Sequence, residues 1–167
     1  MEFKLWHPWL NRVPRIRRQF ADALDGDDPL LHNETASVGV LAGAATRIGY
    51  LALAEYSSQK RGSGRGRPYR RGRCDLWIST PGGDRSWSFE VKQILCRGGI
   101  REATLEDAPA PASKDAKAVN AFGADRHYGA LLFTAAEGHR LDPVTVLRKL
   151  PDGPSPSASK TNDSRLG

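Results

Sequence analysis

Asp75, Glu90 and Lys92 are the residues of this 167-residue chain whose types and spacing could do chemistry together. They lie in two β-type runs, residues 73–80 and 85–95, joined by Pro-Gly-Gly-Asp at 81–84, which is strong turn chemistry for an antiparallel hairpin. A four-residue loop sets Thr80 opposite Arg85, and counting outward puts Leu76 opposite Phe89 and Asp75 opposite Glu90. Alternation then gathers Cys74, Leu76 and Ile78 with Val91, Phe89 and Trp87 on one apolar face. The other face collects Asp75, Trp77 and Ser79 with Glu90, Ser88 and Ser86. Like charges directly opposite on a sheet repel, and a cation between them relieves the repulsion. Two carboxylates and a backbone carbonyl, that of Val91, suit a hard ion that keeps several waters, such as Mg²⁺. Lys92, two residues on from Glu90, is placed to hold or activate a water and to balance charge on a phosphate. Metal-assisted hydrolysis of a phosphodiester is the chemistry implied. The same register keeps Cys96 well away from Cys74, so no disulfide is expected between them.

The remaining elements must position this hairpin. Residues 35–59 carry the longest helical pattern, with Leu41, Ala45, Ile48, Ala52 and Glu55 on one face. A carboxylate in an apolar stripe is costly unless something pairs with it, so Glu55 is the third acid of interest. Upstream, residues 14–24 read as a short helix with a proline in its first turn, ended by the Asp-Gly-Asp-Asp-Pro run at 25–29. Downstream, 106–113 is a Pro/Ala loop, and Ser113 caps a helix to about 122 that carries Lys114 and Lys117 one turn apart. Residues 127–135 are a buried strand, Asp142-Pro143 starts a short helix, and 151–167 has the composition of a disordered tail. The division is a 1–34 extension, a 35–150 core and the tail.

The formal charge is +6, and residues 60–73 alone hold seven cations and no anions, which leaves the rest of the chain at −1. Such a local cluster suits a polyanion, phosphate backbone first. Its residues are Lys60, Arg61, Arg65, Arg67, Arg70, Arg71 and Arg73. The glycines among them lack the spacing of a phosphate-cradling motif and follow a helix pattern rather than a strand. No Cys/His spacing fits a zinc site, and the four histidines read as surface or cap residues. Neither an export signal nor an apolar run of ~20 residues is present. With two free thiols, this points to a cytoplasmic protein without a membrane partner.

A helix-borne Glu, then GRCDLWIS at 72–79, then FEVKQ at 89–93 resembles the PD-(D/E)XK nuclease superfamily. The resemblance spans roughly residues 35–135. It implies a restriction-endonuclease-like α-β-β-(β)-α-β core, a mixed sheet flanked by helices. It further implies that Asp75 and Glu90 bind Mg²⁺, for which Mn²⁺ can substitute. By the same likeness Lys92 assists the attacking water, Glu55 completes the metal shell and Gln93 is the extra polar residue of some members. Cys74 stands where the family's name-giving proline would be.

The expected function is a Mg²⁺-dependent endonuclease acting on DNA, in a setting of bacterial defence or mobile elements. Lys114 and Lys117 would add to the nucleic-acid contacts of the basic stretch. The core carries no separate recognition domain, so targeting calls for a homo-oligomer or a protein partner. The alternative is a nucleic-acid-binding protein without turnover, in which the 60–73 stretch is the whole function.

Overall fold

The computed structural model describes residues 2–61, 66, 69–96 and 123–135. Three helices come first: α1 (Phe3–Leu10), α2 (Val13–Ala23) and α3 (Glu34–Thr46), with a 3₁₀ turn at Pro29–Leu31 before the third. Four strands follow: β1 (Leu51–Arg61), β2 (Tyr69–Ser79), β3 (Ser86–Cys96) and β4 (Arg126–Ala135). They form one sheet in the order β1-β2-β3-β4. β1, β2 and β3 run antiparallel, while β4 lies parallel to β3. The protein is thus of the α/β class with a mixed four-stranded sheet.

The β2–β3 register is the one the turn chemistry dictates. Leu76 pairs with Phe89, Ile78 with Trp87 and Ser79 with Ser86. The Thr80 N–H closes the loop onto the Arg85 carbonyl at 2.9 Å, and Gly83 supplies the left-handed residue, at φ +76°. Leu76, Ile78, Trp87, Phe89 and Val91 form the sheet side of the core, and the helices bring Val38, Val40, Ala44, Ala45, Ile16 and Trp9. Trp6 stands edge-on to Trp87, Phe89 and Tyr128, with ring centroids 6.2, 5.5 and 5.0 Å away. Each such contact adds about 0.5–1.5 kcal/mol to area burial alone. The residues preceding α3 are therefore part of the same core as the sheet.

The helix expected over 35–59 stops at Thr46, which is a correction with a clear cause. Gly49 sits at φ +86°, the Tyr50 N–H bonds to the Ala45 carbonyl at 3.1 Å, and the Gly49 N–H bonds to the Thr46 carbonyl at 3.0 Å. These two bonds make a Schellman stop, which glycine adopts without steric cost. The apolar stripe continues past it only by coincidence, because Ala52 faces the core from a strand. At the other end, the Asn33 side chain accepts the Ala36 N–H at 2.8 Å and caps the helix. Glu34 follows in the first turn, where a carboxylate complements the helix dipole.

The helices expected at 113–122 and after Asp142, and the tail at 151–167, lie outside the described residues. Within the described residues, no helix is long and apolar enough to cross a membrane.

Candidate functional site

The β2–β3 ladder ends at Leu76↔Phe89, and the next position outward holds Asp75 on one strand and Glu90 on the other. Leu76 and Phe89 point into the core, so alternation sends Asp75 and Glu90 together to the opposite face. In place of a strand carbonyl, the Asp75 carboxylate accepts the Val91 N–H at 2.7 Å. Two residues along the same edge of β3, the Gln93 N–H is taken at 3.1 Å by Glu34, from the first turn of α3. Two carboxylates from different elements therefore line the edge of β3 that β2 has left. Glu34 also lies 3.4 Å from the Lys92 ammonium. It was not among the residues singled out from the sequence. A contact between residues 34 and 93 has no local signature, although Asn-Glu at a helix start marks Glu34 as a first-turn acid.

Glu90 is only 3% exposed, whereas Asp75 is half-buried. Their negative charge reaches the neighbouring groups. Burial first, then the charge of Glu90, pushes the Cys74 thiol up to about 11, and Asp75 adds to the rise. Burial, Cys74 and Glu90 likewise raise the Tyr56 hydroxyl above its ordinary value. A site with this field stabilises a cation.

The donor set fits a hard divalent ion. Asp75 and Glu90 offer carboxylate oxygens, and a strand residue's N–H and C=O leave on the same edge, so the Val91 carbonyl opens toward Asp75. Mg²⁺ keeps several waters, and one or two protein carboxylates suffice for it. Among the described residues no group of three His, Cys, Asp or Glu side chains is arranged to hold a metal.

Glu55 is corrected from a helix to β1. The flanking pairs Ala54↔Leu76 and Tyr56↔Cys74 keep one register, so Glu55 occupies the position across from Asp75. It makes no ladder pair there and sits at φ +52°, a left-handed conformation that costs a non-glycine residue energy and tends to collect at functional sites. Its carboxylate lies 3.5 Å from Arg73. Gln93 faces the layer interface rather than the acids. Its amide nitrogen donates to the Leu30 carbonyl at 2.6 Å and to Thr134 Oγ1 at 3.3 Å, and its oxygen accepts from Ser37 Oγ at 3.1 Å. It braces the strand carrying Glu90 and Lys92 against α3 and β4.

The basic residues fall along a long β1–β2 hairpin, with Lys60 opposite Arg70 and Gln59 opposite Arg71. Arg65, Arg67, Lys114 and Lys117 lie outside the described residues. One histidine departs from the surface reading. His127 pairs with Ser88 across β3 and β4, and its Nδ1 is hydrogen-bonded to the Ser88 hydroxyl. Burial lowers its pKa, disfavouring the charged ring. Cys74 and Cys96 are both free, as the hairpin register requires.

Comparison with protein-family models, with characterised proteins and with solved structures returned no match to this chain.

Proposed function

We propose that this protein is a Mg²⁺-dependent endonuclease of the restriction-endonuclease-like type, hydrolysing phosphodiester bonds of DNA. The observation that carries the reading is the Asp75 carboxylate held by the Val91 N–H at 2.7 Å, beside Glu90 and directly before Lys92. The buried Glu90 and its neighbour Asp75 would hold the ion with the Val91 carbonyl. The bound ion would neutralise charge on the scissile phosphate and lower the pKa of a coordinated water. Lys92 donates to the attacking water or to a phosphate oxygen, and Glu34, 3.4 Å away, sets the position of its ammonium. The opposed cationic positions of the β1–β2 hairpin would take the flanking backbone, since like charges facing across strands are otherwise unfavourable. A cytoplasmic location, a defence or mobile-element role, and a homo-oligomer or protein partner for targeting belong to the same proposal.

Incubation with supercoiled, linear and single-stranded DNA, with Mg²⁺ or with chelator, is the test. The expected result is cleavage with the metal and none with chelator or after Asp75→Ala. Salt-sensitive DNA binding without cleavage under any of these conditions would replace the enzyme by a binding protein that uses the cationic hairpin.

A further inference from the structure

Away from the acids, a cleft of about 270 Å³ opens between the start of α2 and the end of α3, lined by Arg12, Arg15, Ile16 and Arg47. Ile16 is buried and forms its floor, and the three arginines are exposed around it. Arg12, Arg15 and Gln19 follow one face of α2 at helical spacing. Arg47, from the far end of α3, bonds to the Gln19 amide oxygen at 2.5 Å and is held facing them. No carboxylate among the described residues makes an ion pair with any of the three. Arg17, which lines a different cleft, does have its carboxylate, Asp28. Arg12 and Arg15 also sit at the start of α2, whose first turn has no acid, where the helix dipole disfavours cations. Three arginines lining one cleft without an internal counterion, two of them placed against local preference, leave a phosphate as the natural complement.

We infer that the Arg12–Arg15–Arg47 cleft binds one phosphate of the nucleic-acid backbone, as a second anchor remote from the Asp75–Glu90 pair. α3 runs from Glu34, bonded to the edge of β3, to Arg47 at the cleft, and its 13 residues span about 20 Å. The inference rests on the nucleic-acid reading above for the identity of the ligand, but not on catalysis.

The test is fluorescence anisotropy of a labelled 20-base-pair duplex in chelator, at several salt concentrations. The intact chain is compared with Arg12→Ala/Arg15→Ala/Arg47→Ala, with Arg15→Glu alone, and with a charge-matched control, Lys4→Ala/Arg18→Ala/Arg85→Ala. One lost phosphate contact makes the log–log salt slope about 0.9 shallower, which is about eightfold weaker binding at 0.1 M salt. That change in the cleft variants, and a smaller one in the control, is the expected result. Equal losses in cleft and control variants would reduce the effect to net charge and overturn the proposal. An unchanged slope would also overturn it, as would stabilisation by inorganic phosphate that the triple variant loses while its duplex binding stays intact. Because binding is read in chelator, failure of the nuclease reading shows separately, as an absence of cleavage in the Mg²⁺ assay with the slope difference retained.

Discussion

The Asp75 carboxylate accepts the main-chain N–H of Val91 at 2.7 Å, where the β2–β3 ladder stops. A side chain here does what a strand carbonyl does elsewhere in the sheet. The acid's position is consequently set by the backbone of the segment that carries Glu90 and Lys92, rather than by a flexible partner. Glu34 repeats the device at Gln93, so the edge is held from both β2 and α3.

Asp75→Asn keeps an acceptor oxygen for Val91 and removes the charge facing Glu90. It should be at least as stable as the parent in chelator, and inactive. Asp75→Ala leaves the Val91 N–H without that acceptor and should be about 1–3 kcal/mol less stable than Asp75→Asn. Urea denaturation of the two variants checks the order. Equal stabilities would mean that the Val91 bond contributes nothing.

Lys92→Ala should abolish cleavage and leave Mn²⁺ affinity largely intact, since Lys92 is cast as a water-side group. Asp75→Ala and Glu90→Ala should lose both. Glu34→Gln, which keeps an acceptor for the Gln93 N–H, should lower cleavage only severalfold, because a half-exposed ion pair contributes under about 1 kcal/mol. Titration calorimetry beside a plasmid assay separates the roles. Identical metal affinity in all four variants would defeat the assignment.

Cys74 binds its proton more tightly in the folded chain than in the unfolded one, since its thiol is pushed up to about 11 from an ordinary 9.0. Between these values the folded state holds the proton that the unfolded state has released. Stability is therefore full below pH 9.0 and falls as pH rises toward 11. The loss is on the order of 2 kcal/mol for a shift of this size. Denaturation of the parent and Cys74→Ala across that range measures it, and the variant should lack that part of the alkaline decline.

Replacing Arg65, Arg67, Arg70 and Arg71 by Ala should weaken DNA binding without altering Mn²⁺ affinity at Asp75 and Glu90. Each phosphate contact removed makes the salt slope shallower by about 0.9. An identical slope would retire the basic stretch as a DNA contact.

The hairpin and its register were legible because two local signals agreed: Pro-Gly-Gly-Asp, and an alternation that sorts apolar from polar residues. The end of α3 was not. Ala45, Ile48 and Ala52 fit a helical stripe as well as they fit a helix, a Gly49 stop and a strand, since small residues carry little periodic contrast. Glu55 was misplaced with that stretch, and it stands across from Asp75 in the sheet rather than on a helix. Glu34 and the Arg12–Arg15–Arg47 cleft were hidden for a different reason. Their partners lie about 30 to 60 residues away in sequence, and only packing of the helices on the sheet brings them together.

Glu2 is bonded to Trp87 Nε1, to the Tyr128 hydroxyl and to Arg126, so the first turn of the chain is sealed against the last described strand. Contacts this distant in sequence are expensive in chain entropy and tend to slow folding. On a ribosome adding about 5–20 residues per second, the partners of Glu2 emerge several seconds or more after it does. Throughout that interval Trp6 has no Tyr128 of β4 to close over it. The aromatic surface around Trp6 is thus exposed in the nascent chain until β4 arrives to cover it.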